Sequence, residues 1–229
     1  AGPAGAMVRL NPALVSGGDV SNTFEISPDG TRVAYVADQT SNEVFRAWSV
    51  PIAGPSTLAV PLVSGIVAAG ADVTNLDFTP DSMSIVFRAD LSQDERFDLY
   101  LVPADGSAAQ DRITNDSSIP GPDRSTGSLW RLHPDGQRVV FTVDEDAPGD
   151  QRGLYEQRLA PHYVQDARLN GDPVAGGRIS TFQVFPDSAG TIYYSDELAD
   201  ERFHLFTADS RIFGDGFAET TTAAWPDTP

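Results

Sequence analysis

The chain has 229 residues, with 33 acidic side chains against 15 basic ones, a formal charge of -18 and no cysteine. That length is enough for one large domain with a substantial core, and the missing cysteines exclude disulfides, thiolate metal sites and a cysteine nucleophile. Every basic residue is arginine, and so acidic a surface excludes a phosphate-neutralising role toward nucleic acid and is repelled by anionic membranes.

No apolar run approaches the ~20 residues of a spanning helix, so no membrane insertion is expected. Residues 1–7, AGPAGAM, read as an appended leader ahead of a single domain over 8–229. No charged-then-apolar signal opens the chain. A periplasmic or extracellular setting therefore assumes a signal peptide that this sequence lacks.

In chain order, the first clear unit is ISPDGTRVAYVAD at 26–38. It returns as LDFTPDSMSIVFRAD at 76–90, WRLHPDGQRVVFTVD at 130–144 and FQVFPDSAGTIYYSD at 182–196. The anchoring prolines, Pro28, Pro80, Pro134 and Pro186, lie 52, 54 and 52 residues apart. Each unit ends on an acid ten residues after its proline: Asp38, Asp90, Asp144 and Asp196. Four matches at near-constant period mark a repeat architecture.

Each unit reads as a four-stranded antiparallel sheet. Apolar residues four and two places before the proline give a first strand of period 2: Phe24 and Ile26, Leu76 and Phe78, Trp130 and Leu132, Phe182 and Val184. Pro-Asp with Gly or Ser opens a tight turn. A second strand rich in β-branched and aromatic residues follows: RVAYVA, SIVFRA, RVVFTV, TIYYS. A polar loop leads to a third: VFRAWSV, FDLYLVP, GLYEQRL, FHLFTAD. A weaker fourth closes three units, in TLAVPLVSG, DRITND and ARLNGDPVAGG. The expected class is all-β, a β-propeller of about four recognisable four-stranded blades that stack radially because none can bury both faces alone.

The pattern (F/W)-x-x-x-P-D-G-x-x-(V/I)-x-(F/Y), with DLYLVPADG at 98–106 as its best third strand, resembles the TolB-like propeller repeats. The resemblance runs from about residue 8 to 209. It implies a propeller. It says little of function, because the family includes translocation scaffolds, surface proteins and the lids of serine peptidases. The period here is longer than that family's, and the added length falls in loops, where binding surfaces grow.

The family's rings resemble about six to eight blades, more than four units supply. RLNPALVSGG at 9–18 matches RLNGDPVAGG at 168–177, so the chain reads as opening on a fourth strand whose first three come from elsewhere. AAWPDTP at 223–229 echoes Phe185–Ser188 as a partial fifth unit. Three solutions are open: a small self-closed ring, a piece of a longer protein, or two chains joined head to tail. A homodimer is the expected one, since it covers both open edges at once.

The residues offer little chemistry. His133, His162 and His204 share no metal spacing and read as ordinary strand or surface histidines. No metal site is expected, although DEDAPGD at 144–150 leaves a weak calcium loop open beside the solvated-loop reading. There is no Gly-x-Ser-x-Gly elbow and no phosphate-cradling loop, so no catalytic residues and no cofactor are expected. The repeated DERF at 94–97 and 200–203 reads as hairpin closure, or as a paired acidic rim. The polar residues three places before each proline stand between apolar neighbours: Glu25, Asp77, Arg131 and Gln183. On the innermost strand of a propeller they pair across blades or line a channel, and they are the candidate binding residues.

The expected function is a non-catalytic scaffold that binds a protein or peptide partner through ring-face loops or the central channel. The alternatives are the gating propeller of a prolyl-oligopeptidase-like serine peptidase, or a propeller binding a small molecule or carbohydrate. The last needs equivalent aromatic platforms, and only Trp48, Trp130 and Trp225 are present, at non-equivalent places.

Overall fold

The computed structural model describes residues 7–65, 67–114, 125–144, 152–160, 167–171, 177–198 and 202–210. Within them the chain is all-β apart from one short 3-10 turn, Ser56–Leu58. Blade I holds β1 (Val20–Ile26), β2 (Arg32–Ala37), β3 (Arg46–Pro51) and β4 (Val60–Pro61), and blade II holds β5 (Val73–Phe78), β6 (Ser84–Gln93), β7 (Arg96–Pro103) and β8 (Asp111–Arg112). Blade III holds β9 (Ser125–Leu132), β10 (Arg138–Asp144), β11 (Arg152–Arg158) and β12 (Ala167–Arg168), and blade IV holds β13 (Ile179–Val184), β14 (Gly190–Ser195) and β15 (His204–Asp209). All pairings are antiparallel and follow chain order. The described residues do not close a ring.

Blades I to III have two apolar faces because their second and third strands are largely buried on both sides, whereas β15 of blade IV is mostly exposed. The forward face carries a cross-strand aromatic pair: Phe87 with Tyr100, Phe141 with Tyr155 and Tyr193 with Phe206, ring centroids 5.5, 6.1 and 5.2 Å apart. In blade I, Tyr35 faces Trp48 in the same register. Such pairs stabilise a sheet beyond the area they bury. The rear face of one blade packs on the forward face of the next. Ala34, Val36 and Ala47 of blade I meet Leu76, Phe78 and Phe87 of blade II. Val86 and Leu99 meet Trp130 and Phe141, and Val140 and Leu154 meet Phe182 and Tyr193.

The Pro-Asp turns explain themselves chemically. In each, the aspartate Oδ1 accepts a backbone N–H two residues on: Thr31 3.0 Å, Met83 3.0 Å, Gln137 2.9 Å and Ala189 3.0 Å. The residue after each aspartate takes positive φ: Gly30 71°, Ser82 65°, Gly136 69° and Ser188 58°. Glycine suits that region, and the two serines hold a contact there. The Asp29 N–H donates to Ser82 Oγ, and the Asp135 N–H to Ser188 Oγ, both at 3.0 Å. Glycine and serine thus alternate along the arc.

The aspartate that ends each unit also has a structural task. Asp90 Oδ1 accepts the Asp72 N–H at 2.5 Å, ahead of β5, and Oδ2 accepts the Glu95 N–H at 2.9 Å, in the β6–β7 hairpin. Asp38 repeats this with the N–H groups of Asp19 and Glu43, and Asp196 accepts the Arg178 N–H at 2.6 Å. One buried carboxylate therefore ties the strand entry to the neighbouring hairpin. Glu43 and Glu95, both at positive φ, are the hairpin residues so held. The first DERF motif is accordingly hairpin closure: the Arg88 guanidinium sits 3.7 Å over the Phe97 ring. Asp200 and Glu201 of the second lie outside the described residues.

The expected fourth strands are present in blades I to III, each two residues long. The segment at 9–18, expected to be another, forms no strand within the chain. It runs beside blade I instead, with Leu10 packed on the forward cluster of Val33, Tyr35 and Trp48. The echo at 223–229 lies outside the described residues.

Candidate functional site

Strands β1, β5, β9 and β13 are the innermost of their blades. β1 packs beside β5, and β9 beside β13. Glu25, Asp77, Arg131 and Gln183 hold one register on them, opposite Ala34, Val86, Val140 and Ile192 of the second strands. All four side chains are exposed. The alternation of apolar and polar residues puts Leu76 into the blade interface and Asp77 onto the inner edge.

The four are not equally close. Asp77 feels Glu25 from blade I and Arg131 from blade III. Its carboxyl is raised above the ordinary aspartate range, first by partial withdrawal from water between neighbouring inner strands, then by the like charge of Glu25, with Arg131 opposing. Although much of its surface is open, this acid is recessed. Arg131 Nη1 donates to its neighbour's carbonyl, Trp130 O, at 2.7 Å. Gln183 occupies the matching place on blade IV. Two carboxylates beside one guanidinium form a polar patch that can accept N–H groups and positive charge.

Elsewhere the structure disposes of several candidates. Trp48 and Trp130 are core residues, so neither offers a stacking platform. His204 is exposed and lies edge-on to Phe206, centroids 6.1 Å apart. His162 and residues 145–150 of the acidic loop lie outside the described residues, and no three potential ligand side chains converge among those described. No described helix is long and apolar enough to cross a membrane.

His133 is not the ordinary histidine its sequence context suggests. It is fully buried, with Nε2 2.7 Å from Glu156 Oε1, itself fully buried. Arg138 Nη1 lies 3.6 Å from Glu156 Oε2 and donates to Ser210 O at 2.8 Å. Its Nη2 donates to Asp135 Oδ2 at 2.8 Å and to Ser188 O at 2.7 Å. This network pins blade III to blade IV, and burial removes it from any ligand. The repeat alignment held a signal for it. In one unit alone, histidine replaces Ser27, Thr79 or Phe185, and glutamate replaces Ser49, Leu101 or Thr207.

No family model matches the chain, and no curated protein sequence does. Solved structures do. A putative TolB from Agrobacterium tumefaciens is 16% identical, with a TM-score of 0.52 over 82% of this chain and 57% of that one. The chain has a β-propeller fold. Prolyl oligopeptidase B from Galerina marginata is 13% identical, TM-score 0.56, over 84% of this chain and 27% of that one. A puromycin-hydrolyzing peptidase of Mycobacterium tuberculosis is 16% identical, TM-score 0.55, over 88% and 32%. This propeller thus spans between about a quarter and somewhat over half of the proteins it resembles. At such identities the likeness concerns fold alone, since one fold carries many functions.

Proposed function

We propose that this propeller is a non-catalytic scaffold that takes a protein or peptide segment at its inner edge, with Glu25, Asp77, Arg131 and Gln183 as contact residues. The observation that carries the reading is the recessed Asp77, exposed, protonated more readily than an ordinary aspartate and set between Glu25 and Arg131. Such a carboxylate lacks a full counter-charge, and an incoming arginine or lysine supplies one. The preferred segment is therefore cationic, and the net charge of -18 draws it in. The same reading places the protein in the periplasm or outside the cell and has a second copy of the chain complete the ring.

The test is fluorescence polarisation with a labelled arginine-rich decapeptide. The double change Glu25→Gln, Asp77→Asn is expected to weaken binding at least tenfold and to flatten its salt dependence. Equal binding by the parent and the double variant would sink the reading.

The likeness to two peptidases several times this chain's length supports a second reading, a gating propeller joined to a hydrolase. It predicts that the native reading frame also encodes a nucleophile elbow. Sequencing the gene through both flanks decides this.

A further inference from the structure

We propose that two copies join head to tail, with Arg9–Asn11 of one copy serving as the outermost strand of blade IV in the other, so that blade IV of each copy packs against blade I of its partner. This rests on the reading that a second copy completes the ring, and it names the surfaces that do so.

Among the described residues blade IV has three strands where the others have four. In blades I to III the fourth strand is anchored in one way: Leu62, Ile113 and Leu169 donate their N–H groups to Ala47, Leu99 and Leu154. Those three third-strand residues are fully buried. Leu205 holds the same register on β15, opposite Tyr194 as Leu154 is opposite Thr142, and it is 70% exposed. A leucine whose counterparts are all buried marks a face prepared for cover.

The covering strand is already in the chain. Arg9-Leu10-Asn11 repeats Arg168-Leu169-Asn170. In blade III, Asn170 Oδ1 accepts the Leu154 N–H at 2.8 Å and the Arg168 Nε–H at 3.2 Å. Asn11 is equipped to take the Leu205 N–H of another copy in the same way, with Leu10 standing where Leu169 stands. Leu10 already packs on the forward face of blade I, as a preceding blade's outer strand would.

The sheet faces agree. Phe24 and Ile26 on the forward face of blade I are 59% and 52% exposed, whereas Leu76 and Phe78 in the same places on blade II are buried. Among the described residues, no rear face lies ahead of blade I and no forward face lies behind blade IV. The turns agree as well. A methyl on Gly136 would come 3.3 Å from Pro80 of the serine-type blade before it, while Gly30 has open space around it. Continuing the glycine–serine alternation puts a serine-type blade before blade I, and blade IV is one. Two identical front-to-rear joints about a two-fold axis meet every one of these demands.

Because the chain has no cysteine, cross-linking tests this directly. Leu10→Cys and Leu205→Cys are made in two separately tagged copies, which are coexpressed and oxidised, since directly opposed strand residues come within disulfide reach. The expected product is a cross-linked pair at twice 24.5 kDa, formed only when both variants are present. Light scattering of the parent should give the same mass, and Leu205→Glu should halve it. Three outcomes overturn the proposal: a parent that is monomeric, a cross-link formed by either variant alone, or an internal bond when both changes sit in one chain. A correct cross-link without decapeptide binding sinks the channel reading alone, and decapeptide binding by a monomer sinks this one alone.

Discussion

Leu154 and Leu205 occupy one register on equivalent strands, yet the first is fully buried and the second mostly exposed. The same contrast separates Leu76 from Phe24 at the other end of the arc. The middle of the molecule and its ends are built from one sequence pattern. They differ in whether a neighbouring blade covers them among the described residues. A blade in this protein is therefore not a stable unit by itself, because both faces of its central strands need cover.

The contrast can be broken hardest at the blade III–IV joint. Glu156→Ala should cost about 3–5 kcal/mol, because it leaves fully buried His133 without its acid. Urea unfolding measures this, and a loss under 1 kcal/mol would mean the network is relaxed by water. Next comes the paired truncation at one register. Leu76→Ala should cost about 3 kcal/mol for the buried side chain and its cavity. Phe24→Ala, measured on the dissociated Leu205→Glu background, should stay within about 0.5 kcal/mol. Equal costs would show that blade I is already covered.

A smaller effect is expected at the unit-ending acids. Asp90→Ala removes the acceptor of two backbone N–H groups and should cost about 2 kcal/mol. Thermal melts measure the loss, and an unchanged melting temperature would mean that water satisfies both N–H groups.

Acid pH gives the smallest effect and two opposite signs. The Asp19 N–H holds the Asp38 carboxyl below the usual 3.8. Its contribution is therefore present above pH 3.8 and is lost as pH falls through its lower folded value. Asp77 is raised, so its folded form favours the proton. Its contribution is greatest at low pH and fades as pH rises through the folded value. Asp38→Asn should weaken the protein at neutral pH, whereas Asp77→Asn should leave it unchanged or slightly more stable. Melting temperatures from pH 3 to 7 would show both signs, and a destabilised Asp77→Asn would mean this acid is paired rather than recessed.

The Pro-Asp turns and first three strands of each unit were legible because their signals are local: period-2 alternation, β-branched residues and a turn fixed by one aspartate. The inner-edge register of Glu25, Asp77, Arg131 and Gln183 followed from the same alternation. The closeness of Asp77 to Glu25 and Arg131 did not, since it depends on how far neighbouring blades converge. His133 misled for a related reason. Residue type gives no warning of burial, and Glu156, which explains it, lies 23 positions away on another strand.

Sequence alone determined the blade, because a blade is set by hydrogen-bonding geometry and alternation within about fifty residues. Tertiary structure alone decided which faces are covered, why the unit-ending aspartates exist and which third strand has no outer neighbour among the described residues. Those outcomes depend on contacts between blades, and repeated units present nearly the same residues to a neighbour that is there and to one that is not.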